Sequence, residues 1–456
     1  CSTVAESDNK IILKGVNPPE VYQFYQIVTA YLGKPISMFD LEEMRKEIIE
    51  HYQVNDYPIV DPFFIEGYDM NNDILQVALL EGVLDKIAIT GNKHFATDYY
   101  LSQISVTPGE QINAAQLEKD IEWINKNPFR NIGTPILDQG KTPGTTSITL
   151  EVQDKKPLRA YVGFDDSGND LTGDERLMFG VNWGNLFNKD HQGSYQYMTA
   201  LHPQWLKSHS GSYTIPINKW RHTLSFIGSF ATNGADFPDP SQEIDGTSIS
   251  AGIRYGFDLP KWTQHPEFKH SINLGYDFKR SDNQLMISKI VASDTTTDTS
   301  QFSVLYSGSM PDSMGMTSFS ATLVVSPGGM TGHNGDAEIR ASGGGGATYM
   351  YLRLAANRVH SLPNNFSLTL KSSAQISDRN LMGGEQLGAG GLATARGYDE
   401  REVNGDEGVL LSAELATPLF KPSEELGLTF MPQDQMQFLG FIDYATLSLH
   451  NKSTSS

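Results

Sequence analysis

The chain has 456 residues, with 34 Lys and Arg against 54 Asp and Glu, a formal net charge of −20 at pH 7. That balance excludes a nucleic-acid partner held by phosphate neutralisation. Mean hydropathy is −0.34, and no run reaches the roughly 18 apolar residues of a membrane-spanning helix. A helical membrane protein is excluded, whereas a membrane barrel, whose strands alternate, is not.

The single cysteine is Cys1, so no internal disulfide and no cysteine metal cluster can form. Followed by Ser, it fits the lipidated end of a processed lipoprotein and equally a chain that begins there. Residues 1–10 are polar and charged and read as an N-terminal tail.

Next comes an internal repeat with a spacing of about 76 residues. Gly33-x-x-Ile36-Ser37 with Leu41-Glu42 and Ile48 lines up with Gly109-x-x-Ile112-Asn113 with Leu117-Glu118 and Ile124. Ser37 with Asp40 and Asn113 with Gln116 each place a capping oxygen three residues before a side chain that can bond back, which opens a helix. Short alternating runs at Ile87–Ile89, Ile74–Leu80 and Ile148–Val152 add strands, giving two small α+β units. Ile87-x-Ile89-x-Gly91-Asn92-x-x-Phe95 resembles the opening of a POTRA domain, the periplasmic module of outer-membrane transporters, and Gly67 to Gly82 resembles the form found in two-partner secretion transporters. The resemblance implies POTRA domain 1 over 11–82 and POTRA domain 2 over 83–157.

From Leu158 the hydrophobic period becomes two. Ile272, Leu274, Tyr276 and Phe278 alternate with Ser271, Asn273, Gly275 and Asp277, and the runs around 249–257 and 365–371 behave alike. About thirteen strands are readable, starting near Leu158, Leu177, Tyr195, Tyr213, Leu224, Ile249, Ile272, Phe302, Phe319, Thr348, Phe366, Val409 and Phe438. Alternation alone leaves a soluble sandwich open beside a membrane barrel. Runs of about ten residues, long enough to cross a bilayer, favour the barrel. Connections read as short at 185–190, 216–218 and 362–364, and as long and polar at 281–300, 325–346 and 377–408. Barrels keep their short turns in the periplasm, so residues 11–157 are expected there.

Asp166-x-Gly168, Thr172-Gly173-x-x-Arg176 and Asn185-Leu186-Phe187-x-x-Asp190 resemble the first hairpin of TpsB transporters, the haemolysin secretion/activation family typified by ShlB, FhaC and HecB. Gly383-Gly384-Glu385, Ala395-Arg396-Gly397-Tyr398, Gly405-Asp406-x-Gly408 and Glu414-Leu415 are similar to its sixth external loop and the strand after it. Phe441-Ile442-Asp443-Tyr444 resembles the motif of the next strand. Ala395 stands where that family often carries Val.

The resemblance implies α+β POTRA repeats followed by an antiparallel transmembrane β-barrel. It further implies a loop-to-barrel motif of Arg396, Gly397, Tyr398 and Asp443, in which Arg396 pairs with Asp443. The function implied is an outer-membrane pore that exports a partner exoprotein, with a TpsA-like cargo and outer-membrane lipid as partners. It carries no catalytic residue, cofactor or metal. Sixteen strands and a plug helix before the first module are implied as well. With about thirteen strands readable over 158–456, the barrel is expected to be C-terminally incomplete.

No His-Glu-x-x-His or Gly-x-Ser-x-Gly pattern supports a hydrolase. Gly388-x-Gly390-x-x-Ala393 lacks the strand and helix of a dinucleotide site, and the acidic stretch 399–407 does not have EF-hand spacing. Two rivals remain at this stage, an assembly factor of the BamA/TamA kind and a soluble β-rich protein.

Overall fold

The computed structural model describes residues 2–6, 10–13, 18–33, 36–64, 75–142, 144–168, 172–234, 242–262, 264–425 and 434–451. The chain divides into two units, Cys1–Pro157 and Leu158–Ser456.

The first unit opens with β1 (Ser2–Glu6), β2 (Lys10–Leu13), α1 (Val21–Thr29), α2 (Met38–Val54), β3 (Val60–Phe64) and β4 (Gln76–Glu81), the strands ordered β2-β1-β4-β3. The tail expected over residues 1–10 is therefore corrected: β1 pairs with both β2 and β4. A strand pairs through its backbone, so a polar segment without apolar alternation joins a sheet unannounced. Ser37 and Asp40 complete the expected capping box at the start of α2. Met44, Ile48 and Tyr52, spaced by four, put one face of α2 against Phe24, Val77 and Leu79. Tyr52 Oη donates to Glu81 at 2.7 Å. Burial, then that bond, pushes its phenol pKa up and keeps it a donor.

The second module comprises β5 (Val83–Thr90), α3 (Thr97–Gln103), α4 (Ala114–Asn125), β6 (Arg130–Ile132), β7 (Ile136–Gln139) and β8 (Thr145–Asp154). β5 runs parallel to β8, which also carries β6 and β7. Helix α4 begins 76 residues after α2 (114 − 38), capped by Asn113 at the Gln116 N–H. Its buried Leu117, Ile121 and Ile124 pack with Ile148, Leu150 and Val152.

At the end of β5 the chain turns at Gly91, φ +80°, where a Cβ would lie 2.5 Å from the Val152 carbonyl oxygen. Only glycine fits that approach. The Asp154 carboxylate accepts the N–H groups of Lys93, His94 and Phe95 at 2.9, 2.9 and 3.2 Å, tying the turn to the last residue of β8. Asp154→Ala orphans three donors and is expected to cost about 1–3 kcal/mol. A soluble 1–157 fragment should show it as a lowered urea midpoint; an unchanged midpoint would refute the tie.

The second unit is one antiparallel sheet. Its strands are β9 (Leu158–Asp165), β10 (Arg176–Leu186), β11 (His191–Ala200), β12 (Leu206–Ile217), β13 (His222–Gly234), β14 (Gln242–Asp258), β15 (Lys269–Ile287), β16 (Ile290–Asp312) and β17 (Gly315–Pro327). A short helix α5 (Asp336–Ala341) precedes β18 (Thr348–Ser361) and β19 (Ser367–Ser377). Two short strands, β20 (Leu387–Ala389) and β21 (Val403–Gly405), lie inside the following loop. Then come β22 (Glu407–Ala416), α6 (Pro422–Glu425) and β23 (Leu439–Ser448). The thirteen long strands pair in chain order from β9 to β23 and match the thirteen read from the sequence, although β12, β14 and β16 begin 7, 7 and 12 residues before the starts read there. Among the described residues no ladder joins β9 to β23.

Register sorts the side chains onto two faces. Tyr255 and Leu274, Tyr276 and Phe302, and Ala413 and Ile442 stand opposite one another on one face, which is apolar. That face is uncovered, with Leu274 44%, Phe302 49% and Ile442 77% exposed. In a sandwich such residues bury one another, so an uncovered apolar face continuous over thirteen strands calls for lipid. Among the described residues no helix is long and apolar enough to cross a membrane.

The long polar connection expected at 281–300 is corrected. β15 runs on to Ile287 and β16 begins at Ile290, with only Ser288 and Lys289 between them, at φ +51° and +64°. Its tip is exposed, and Thr297 to Ser300 are buried among polar groups, Thr297 Oγ1 meeting Ser342 Oγ at 2.6 Å, so neither face needs apolar alternation, and Thr295, Thr296 and Thr297 suit an extended backbone.

Candidate functional site

The loop between β19 and β22, residues 378–406, folds against the polar face of the sheet and is held at its root and at its tip. At the root, Glu385 is 3% exposed. Its carboxylate accepts from Lys279 Nζ at 2.5 Å, Tyr351 Oη at 2.9 Å and Gln301 Nε2 at 3.2 Å. Its carbonyl accepts from Gln375 Nε2 and Arg353 Nη2. Four strands, β15, β16, β18 and β19, thus converge on one loop residue. The second root carboxylate, Asp406, is fully buried. It accepts from the Leu381 N–H at 2.7 Å, Gln386 Nε2 at 2.9 Å and the His450 N–H at 3.0 Å. Between these anchors β20 and β21 pair antiparallel and lead the chain out to the tip.

At the tip, Arg396 grips Asp443 on β23 with both ends of its fork, Nε to Oδ2 and Nη2 to Oδ1, each at 2.8 Å. The Arg396 N–H adds a third bond to Oδ2 at 3.1 Å. Nη1 reaches Glu414 Oε2 at 2.6 Å and Nη2 reaches Ser412 Oγ at 3.2 Å. The guanidinium stacks over Phe441, 3.6 Å from the ring centre. Arginine suits this position because its planar fork matches a carboxylate and an aromatic face together. Gly397, at φ +94°, makes the turn that a side chain would strain.

Of the four residues named from sequence, the structure brings Arg396 and Asp443 together, with Gly397 as their hinge. Tyr398 does not join them. Its side chain is 65% exposed and its carbonyl accepts from the Gly391 N–H. Ser412 was missed, and Glu414 and Phe441 were named only within motifs, although strand parity sets Ser412 and Glu414 on one face of β22 and Phe441 and Asp443 on the matching face of β23. Lys279 and Gln375 were missed as well, because no local pattern distinguishes an inward polar residue that anchors a loop from one that faces water, while Glu385 and Asp406 stand in the quoted motifs but were given no role.

A family profile described as haemolysin secretion/activation protein ShlB/FhaC/HecB matches residues 144–455. The POTRA profile, described as surface antigen variable number repeat, matches 83–155. The heme/hemopexin transporter protein HuxB of Haemophilus influenzae is 24% identical over 419 residues, covering 87% of this chain and 70% of its own length. The outer membrane transporter CdiB of Dickeya dadantii is 24% identical over 401 residues, covering 85% and 68%. Among solved structures, CdiB from Escherichia coli superposes with a TM-score of 0.78 at 17% identity, over 95% of this chain and 78% of that one. CdiB from Acinetobacter baumannii gives 0.69 at 17% identity, over 98% and 79%. The family match spans the whole sheet and the loop folded against it, and the chain belongs to the ShlB/FhaC/HecB haemolysin secretion/activation family, outer-membrane pores of two-partner secretion with their POTRA domains in the periplasm.

Proposed function

We propose that the 378–406 loop is the closure of this pore and that the clasp of Arg396 with Asp443 and Glu414 is its latch. The carrying observation is that clasp: four side-chain bonds, one backbone bond and a ring contact fix a single loop residue to the wall. Residues 1–82 form a POTRA domain as 83–157 do, and the cargo is an unfolded exoprotein of the TpsA kind. It adds a strand to an open edge of the periplasmic modules, where β3 and β5 lie at the margins of their sheets. Backbone pairing tolerates varied cargo sequence, and transit needs no bond-breaking step in this chain. The uncovered apolar face meets outer-membrane lipid, and the net charge of −20 leaves no role for nucleic acid.

Depletion of the protein tests the reading. One secreted protein should disappear from the culture medium and accumulate in the periplasm, while the levels of other outer-membrane barrels stay the same. A general fall of outer-membrane proteins would instead favour an assembly factor of the BamA/TamA kind.

A further inference from the structure

β9 starts directly after the periplasmic modules, so strand ends alternate and the turns 187–190 and 218–221 lie at the periplasmic rim. Three histidines on the lipid-facing side repeat one geometry there. Each begins an outgoing strand, and its Nδ1 bonds a tyrosine hydroxyl on the next strand: His191 with Tyr213 at 2.5 Å, His222 with Tyr255, and His270 with Tyr306 at 3.1 Å. In each case the tyrosine stands opposite the residue two places after the histidine, namely Gly193, Leu224 and Ile272.

His270 fixes the proton arrangement. Its Nε2 lies 2.9 Å from the Pro260 carbonyl, which can only accept, so Nε2 carries the hydrogen and Nδ1 accepts from Tyr306. His191 and His222 present Nδ1 to their tyrosines in the same way, which turns Nε2 outward, and among the described residues neither Nε2 has a protein partner.

These two histidines are two strands apart, about 10 Å along the rim. The turns beside them, Phe187-Asn188-Lys189-Asp190 and Asn218-Lys219-Trp220-Arg221, hold three basic residues and one acid, Asp190, which is buried. At the outer end of β10, by contrast, the connection 166–175 holds four acids and no base. A cationic rim in a chain of net charge −20 selects an anion. Trp183 and Trp220, 46% and 61% exposed, flank it and lead onto the apolar face. The anion that suits both is therefore attached to a hydrocarbon tail.

We propose that Lys189, His191, Lys219 and His222, between Trp183 and Trp220, form a binding site for the phosphate headgroup of an anionic phospholipid in the periplasmic leaflet. The tyrosines aim the histidine donors, and the tryptophans seat the glycerol and upper acyl chain.

The test is native mass spectrometry of the full chain released from detergent micelles containing equal phosphatidylglycerol and phosphatidylcholine. Phosphatidylglycerol should be retained in preference, and Lys189→Gln and Lys219→Gln, at exposed turn tips, should each lower that preference about fivefold. His222→Gln should lower it too, whereas Lys207→Gln, at the outer end of β12, should not. Heat-modifiable gel mobility confirms that each variant is folded. Equal retention of both lipids by the unaltered protein, or an equal loss in Lys207→Gln, would overturn the proposal. Displacement of the lipid by excess inorganic phosphate would overturn it in favour of a free-phosphate site.

Discussion

Arg396→Ala is expected to cut secretion of the cargo by at least about tenfold while the barrel reaches the outer membrane in normal amount. The substitution removes four side-chain bonds and a stacked ring, and leaves Asp443 and Glu414 as two carboxylates facing one another with no cation between them. Losing one charged hydrogen bond costs on the order of 1.5–3 kcal/mol, and 1.4 kcal/mol is a factor of ten in an equilibrium. The clasp lies beside water, which screens part of this, so the estimate uses one such bond rather than all four. Asp443→Ala should have a comparable effect, and Glu414→Gln a smaller one, since an amide oxygen can still accept from Nη1. Arg396→Lys should not restore secretion, because an ammonium cannot span both carboxylate oxygens and stack on Phe441 at once. Secretion assays with quantified surface barrel decide the matter: unaltered export by Arg396→Ala and Asp443→Ala would remove the latch.

Glu385→Ala is expected to act on stability before it acts on transport. It leaves Tyr351 Oη and Gln301 Nε2 without their acceptor inside the wall and deprives Lys279 of its partner. Removing one member of a fully buried ion pair costs roughly 3–5 kcal/mol. Lys279 is 40% exposed and can turn to water, so the expected loss is nearer 1–3 kcal/mol, set by the two orphaned neutral groups. Freed at its root, the loop should become a trypsin substrate at Arg401 in intact cells, and the heat-modifiable transition should fall by several degrees. Glu385→Gln keeps an acceptor in place and should lie between the two. A loop as protease-resistant in Glu385→Ala as in the unaltered chain would show that Asp406 alone carries the root.

The elements that were legible in the sequence share one physical condition, a single face turned away from water. Ile272, Leu274, Tyr276 and Phe278 alternate because one side of β15 belongs to the uncovered apolar face, and Met44, Ile48 and Tyr52 recur by fours because one side of α2 is buried. The outer half of β15 and β16 has no such condition and reads as loop, as does β1 with its sequence Ser-Thr-Val-Ala-Glu. In the site, Arg396 and Asp443 stood out through motifs of adjacent residues. Lys279 and Glu385 lie 106 positions apart and become partners only when the loop folds back over four strands. Parity reveals which way Lys279 faces, but its partner follows from tertiary geometry alone.

The two root carboxylates also set a mechanical limit. About 13 residues, 390–402, run between the end of β20 and the start of β21. Paid out as a doubled strand, roughly six residues each way at about 3.3–3.6 Å per residue, they reach about 20 Å. Released at Arg396 with the root anchors and the β20–β21 pairing intact, the tip can extend no farther than that from the end of the paired strands, over half the thickness of a bilayer core. With the latch as proposed, the loop is a hinged flap of limited stroke: it would clear the wall for a passing chain, stay tethered within reach of Asp443, and reseat by an intramolecular step once the cargo has gone.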